Sequence, residues 1–136
     1  MKTTCFLMFL TFAIIIGNSC KTTPINQALK EFNELKNIKE GSKITIIPGS
    51  GCTGCIKGIE SFAIENANSD SLFFIFTRIN SLKLFRNRFG NSFVNSPNII
   101  VDIENKFKYE NKDYEIYPVE YKKQNGIIFL NKYLKP

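Results

Sequence analysis

Apolar side chains at Ile25, Ala28, Leu29, Phe32 and Leu35 recur every three or four residues, which lays them along one side of a helix, and Gly41 supplies a stop. The pattern then changes period. Residues 43–48 (KITIIP) are short, β-branched and apolar, as a strand requires, and run into the turn-rich Gly49-Ser50-Gly51. From Cys55 onward, Ile56, Ile59, Phe62 and Ala63 restore the helical spacing. Residues 72–79 (LFFIFTRI) are nearly all apolar, aromatic or β-branched, which predicts a central strand covered on both faces, the heart of a sheet. Leu82, Phe85 and Phe89 share one side of a further short helix that ends at Gly90, and residues 98–103 (NIIVDI) give a third strand. A polar Lys/Asn/Glu segment leads to residues 117–121. Asn125-Gly126, a favoured two-residue turn, then returns the chain through residues 127–130 as a hairpin, with 131–136 left as a short tail.

Helix, strand, helix, strand, helix, strand and hairpin in that order make an α/β chain, in which crossovers generate parallel pairs and the hairpin adds antiparallel ones. A mixed sheet flanked by helices is the expected fold class. The 136 residues fit one domain and leave no room for two. No repeat of solenoid period interrupts them.

Composition narrows the chemistry. Thirteen Phe and five Tyr within a 43% hydrophobic chain are ample for a packed interior. The net charge of +6 comes from lysines and arginines scattered through Lys/Asn-rich stretches, without a basic block or an aromatic-interleaved stripe. It reads as a solvated surface, and nucleic acid is not an expected partner. There is no His at all, which removes His-based acid/base catalysis, His-containing triads and mixed Cys/His zinc sites. No metal or other cofactor is expected.

The amino terminus reads as an address. Residues 1–19 begin with Lys2, continue through an apolar run from Phe6 to Ile16 and end in Gly17-Asn18-Ser19 ahead of Cys20, the layout of a secretory signal. The apolar run is too short for a bilayer span, which takes about 20 residues. The last residues resemble a bacterial lipobox, in which a small residue precedes a Cys that is acylated and becomes the new amino terminus. Gly17 stands where Leu is commonest and Asn18 is polar. The expectation is a lipoprotein signal over 1–19, a tether over 20–24 with lipid on Cys20, and a folded domain over 25–136, held on the envelope membrane and facing the periplasm or exterior. Cys5 leaves with the signal. Cys52 and Cys55 then remain as the thiols of the mature chain, in a compartment where a pair can form a disulfide.

Disulfide exchange needs a thiolate to attack, a second thiol to resolve the mixed disulfide, and access for a partner's sulfur. Cys52-Thr53-Gly54-Cys55 stands directly after a strand and a Gly-rich turn and directly before an amphipathic helix. A Cys at a helix amino terminus meets unpaired amide hydrogens and the positive end of the dipole, which favour the thiolate. Cys52 is the candidate nucleophile and Cys55, one turn in, the candidate resolving thiol. The alternative is a static disulfide in a membrane-anchored binding or scaffold protein. So short a loop restricts the unfolded chain little, so a bridge there adds modest stability. Two Cys without His leave a zinc tetrahedron half filled, and Ile56 excludes the CxxCH haem pattern. Peroxide reduction through Cys52 lacks the usual supporting residues.

With these pieces in place the chain resembles the thioredoxin superfamily, especially the exported, membrane-anchored proteins related to TlpA and to cytochrome-maturation reductases. The likeness covers roughly residues 43–130. It rests on KITIIPGSGCTGC for the strand and active-site turn, LFFIFTRI for the next strand, NIIVDIENKF for a strand ending in an acidic turn, and YPVEYKKQNGII for the strand carrying the family's cis-proline. The resemblance implies a thioredoxin-like fold and a thiol–disulfide oxidoreductase, with redox roles for Cys52 and Cys55. Its partners would be exported proteins bearing thiols or disulfides, together with a redox donor. It also implies the cis-proline role for Pro118, with Tyr117 facing the disulfide as part of the substrate platform. Pro97 is the rival proline. This sequence departs from the family at Gly51, where an aromatic residue is usual, in the Thr-Gly dipeptide, and in the absence of a buried acid from KITIIP. Glu60 and Glu120 are the nearest carboxylates in sequence and read as solvated surface charges. The carboxy terminus looks too short for the family's full final helix.

Overall fold

The computed structural model describes residues 23–109 and 115–135. Cys5, Cys20 and the residues read as a signal and most of the tether lie outside them. Helix α1 (Pro24–Lys36) starts with Pro at its first position, where the missing N–H costs nothing, and stops at Asn37, whose left-handed backbone lets its N–H reach the Asn33 carbonyl. Strand β1 (Lys43–Pro48), helix α2 (Thr53–Glu65) and strand β2 (Leu72–Thr77) follow. Helices α3 (Leu82–Phe89) and α4 (Asn91–Val94) lead to β3 (Ile99–Asp102), and the hairpin β4 (Val119–Gln124) and β5 (Ile127–Tyr133) completes the order.

The five strands form one mixed sheet in the order β3-β2-β1-β4-β5. β1 pairs parallel with β2, and β2 parallel with β3; β4 runs antiparallel to both β1 and β5. The expected α/β class and mixed sheet are present. β2 is an inner strand with both faces covered, as expected of LFFIFTRI, and β1 beside it holds the middle of the five. β2 ends at Thr77 because Arg78 adopts a positive φ of 58°, incompatible with continuing the strand.

Alternation along the strands divides the interior in two. Ile44 and Ile46 of β1 and Ile75 of β2 face α1, which contributes Ile25, Ala28, Leu29 and Phe32. Ile47, Phe74 and Phe76 face the other way, toward Ile56 and Ala63 of α2, Phe85 of α3 and Phe93 of α4. Phe76 sits 5.0 Å from Phe85, 5.6 Å from Phe89 and 5.8 Å from Phe93, centroid to centroid. Such pairs contribute about 0.5–1.5 kcal/mol each beyond burial. Helices of eight and four residues are marginal alone, so α3 and α4 are held by these rings rather than by intrinsic propensity.

Several expectations are corrected. Leu35 is 81% exposed, since the buried stripe of α1 runs through Ile25, Ala28, Leu29 and Phe32 and leaves position 35 at its margin. Phe62 is likewise partly exposed, and Glu60, one turn after Ile56, takes the buried position. α4 has no period to announce it. The stretch 131–133 belongs to β5 and is no tail.

Candidate functional site

The turn between β1 and α2 is shaped by close backbone approach. A Cβ on Gly49 would lie 2.5 Å from the Arg78 carbonyl oxygen, and one on Gly51 would lie 2.4 Å from the Ile116 carbonyl oxygen. Gly51 also has φ +146°. No side chain fits there. The segment ahead of β4 is thereby laid against the start of α2, and the Cys52 amide donates to the Ile116 carbonyl at 3.0 Å.

Cys52 is the N-cap of α2. Its backbone is extended (φ −62°, ψ 97°), and its Sγ accepts from the Cys55 amide at 3.4 Å. An unpaired N–H of the first helical turn is thus pointed at sulfur. Cys52 and Cys55 are joined as a disulfide with their Cα atoms 5.4 Å apart. Both are half-buried, and Thr53 and Gly54 between them are exposed.

The expected platform residues lie beside this helix start, with a different division of labour. No peptide bond among the described residues is cis, so Pro118 is trans, contrary to the cis-proline expectation. Pro118 is fully buried, and its carbonyl accepts from the Leu134 amide at 2.8 Å. That bond extends the β4–β5 ladder and fixes Pro118 within the sheet's end. Tyr117 is half-buried, with the Lys135 ammonium 5.4 Å from its ring centre. The backbone group that meets Cys52 is the carbonyl of Ile116, a residue the sequence did not single out, and its side chain is 41% exposed beside the turn. Pro97 sits between α4 and β3, where its carbonyl accepts from the Lys36 ammonium.

Arg78 supports the same segment. Its amide donates to the Asn105 side-chain oxygen at 2.9 Å, and its guanidinium donates to the Glu115 carbonyl at 3.2 Å. The Glu115 carboxylate is shared between Arg78 at 4.0 Å and Lys108 at 3.8 Å. Residue 115 is in this way tied to the end of β2, one residue before the carbonyl that holds Cys52.

Neither Glu60 nor Glu120 is a solvated surface charge. Glu60 is 7% exposed and paired with the Arg88 guanidinium. Burial pushes its carboxyl above the ordinary carboxylate value, with the charge of Arg88, the hydrogen bond it donates and Lys57 pulling the other way. Glu120 is buried against β1, in register with Thr45, and accepts from the Asn131 side chain at 2.6 Å with the Lys43 ammonium at 3.5 Å. KITIIP thus has a buried acid beside it after all, supplied across the sheet by β4. Asp102 is buried too: it accepts from the Thr77 hydroxyl at 2.8 Å and from the amides of Lys106 and Phe107, which builds the turn after β3. All three carboxylates have structural partners. No protein-family model, curated protein or solved structure matches the chain.

Proposed function

We propose that the protein is a thiol–disulfide oxidoreductase of thioredoxin-like fold, tethered by lipid on Cys20 and acting on disulfides of exported proteins through Cys52 and Cys55. The observation that carries the proposal is the position of Cys52: N-cap of α2, its sulfur receiving the Cys55 amide hydrogen and its own amide held by Ile116, in a half-buried disulfide flanked by exposed residues. Amide hydrogens and the helix dipole favour a thiolate at that place over a thiol.

In the reducing direction the dithiol form begins the cycle. The Cys52 thiolate attacks one sulfur of a partner disulfide; that S–S bond breaks, a Cys52–partner mixed disulfide forms, and the partner's other sulfur leaves as a thiolate that takes up a proton. Cys55 gives up its proton and attacks Cys52 Sγ. The intramolecular disulfide forms, and the partner's second sulfur departs as a thiol. Two electrons and two protons have passed to the partner, and a dithiol donor must return them to Cys52 and Cys55 before the next turn. The order of attack follows from the helix: the amide-facing sulfur of Cys52 is the better nucleophile and leaving group, and Cys55 lies one turn further in.

Mixed-disulfide trapping tests this. Cys55→Ser in the native envelope accumulates covalent adducts through Cys52 that dithiothreitol releases, whereas Cys52→Ser accumulates none and loses turnover. If both single variants retain full reductase activity with an accepted donor, the mechanism is wrong. A pair that stays oxidised below about −300 mV in a thiol-trapping titration would instead be a structural bridge.

A further inference from the structure

Away from the disulfide, α1 and the outer hairpin strand enclose an open groove of about 820 Å³. Ile25 and Leu29 form one wall and Ile128 and Leu130 the other, with Tyr109 and Tyr121 at the base. Among the described residues, β5 is the edge strand of the sheet. Its apolar side chains stay in solvent: Ile127 is 66% exposed, Phe129 40% and Leu130 39%. Ile127 and Phe129 on one face of this edge strand, and Leu130 with Ile128 on the other toward the groove, give the edge an apolar character on both sides, which marks a contact surface.

Two observations say what the contact is with. The first is where the described chain begins. Thr23 lines the groove, and Cys20 precedes it by three residues, which span at most about 10 Å when extended. An anchor at Cys20 therefore brings this part of the molecule to the bilayer surface. The second is charge. Among the described residues lining the groove, Lys30 is the charged one, and it is exposed. The hairpin and the residues that follow carry Lys122, Lys123, Lys132 and Lys135 against Glu120, which is buried and bonded to Asn131. Glu40 accepts from the Gly126 amide at the turn and Lys123 donates to the Ile38 carbonyl, which leaves Lys30, Lys122, Lys132 and Lys135 as the excess of positive charge around the apolar edge, a match for the boundary between anionic headgroups and acyl chains.

We propose that the α1–β5 groove and the apolar edge of β5 are a membrane-contacting face, seated on the anionic surface of the bilayer that holds Cys20. The proposal rests on the lipid-anchor part of the function above and is independent of the chemistry at Cys52. It gives the lipid a second role. The tether supplies the high local concentration, and the hairpin turns a freely swinging domain into one with a fixed face toward the membrane.

The full-length lipidated protein, reconstituted into vesicles of phosphatidylcholine with or without phosphatidylglycerol, supplies the test. The chain contains no Trp, so Phe129→Trp is a single reporter, and Leu84→Trp on the exposed side of α3 is its reference. Brominated-chain lipid is expected to quench the indole of Phe129→Trp several-fold more than that of Leu84→Trp, more strongly with phosphatidylglycerol. Lys30→Glu with Lys132→Glu is expected to abolish the difference. Ile127→Trp gives a second reporter should Phe129→Trp fail to fold. Equal quenching of the β5 reporter and the α3 reference in vesicle-bound protein overturns the docking face and leaves the anchor standing. Shielding of the β5 reporter that tracks protein concentration instead of lipid assigns the face to a second copy and also overturns it. Protein that vesicles do not retain overturns the anchor, and the docking face with it.

Discussion

The amide of Cys52 and the carbonyl of Ile116 meet at 3.0 Å, and this one bond joins the start of α2 to the segment that enters β4. Gly51 makes it possible, because any Cβ there would collide with the Ile116 backbone. Gly51→Ala is therefore expected to cost about 1–3 kcal/mol of stability, the range for a residue forced into a backbone region it avoids. It is also expected to slow alkylation of reduced Cys52 by iodoacetamide several-fold. Chemical denaturation and a stopped alkylation assay measure the two effects. An Ala variant of unchanged stability would mean that the segment is not held against the helix.

Arg78 reaches the same bond indirectly, through the carbonyl of Glu115. Its role, on the proposed function, is to position Ile116. Arg78→Ala is expected to move the pH midpoint of Cys52 alkylation upward and to lower kcat several-fold with little change in KM. Arg78→Lys restores part of the effect, since an ammonium can still meet a carbonyl but cannot reproduce the planar fork. A purely structural residue would lower the unfolding midpoint and leave that pH midpoint where it was. The stability loss itself is expected to be small, about 1 kcal/mol, because the side chain is part-exposed.

What the sequence reveals is what one element decides alone. KITIIP, the helical stripe after Cys55 and the Asn125-Gly126 turn each have a local signature, and β1, α2 and the β4–β5 hairpin lie where those signatures put them. Asn125 and Gly126 both take positive φ, which is what the dipeptide is chosen for. Contacts made far along the chain were not legible. Glu60 falls on the buried face by simple spacing from Ile56, yet a carboxylate is kept there only by Arg88 of another helix. The Ile116 carbonyl has no side-chain signature, and its one trace in the sequence is the glycine at position 51 that lets the two backbones meet. The cis bond at Pro118 was implied by the resemblance alone, and the peptide is trans, with the Pro118 carbonyl accepting from the Leu134 amide.

Glu60 gives a dependence on pH with a definite sign. Its folded-state value is raised above 4.5, so the stability it contributes is complete below that value and is lost as pH climbs through the raised one. Glu60→Gln mimics the protonated carboxyl and removes this slope. The variant is expected to match the wild type in acid and to become relatively more stable as pH rises across the window just above 4.5. Arg88, whose side chain is 58% exposed, loses little on being left to solvent. Tm measured against pH for the two proteins checks this, and a variant less stable at neutral pH than in acid, relative to wild type, would show that the ion pair outweighs burial.

The base of the groove should respond at the alkaline end. Tyr121 and Tyr133 both donate to the Tyr109 hydroxyl, at 3.0 Å and 3.3 Å. Burial pushes Tyr109 up to about 12 and raises Tyr121 as well. A phenol raised in this way stabilises the fold fully below its ordinary value of 10 and loses that contribution as pH approaches 12. Absorbance of tyrosinate is expected to rise in two stages, exposed phenols first and the Tyr109–Tyr121 pair later, the second stage coinciding with loss of far-ultraviolet circular dichroism. Tyr109→Phe is expected to remove part of the late stage and to leave Tyr121 without its acceptor, a cost of about 1–3 kcal/mol for a buried hydroxyl. A single early titration of all five tyrosines with the fold intact would mean that water enters the groove freely and that Tyr109 and Tyr121 are not buried at its base.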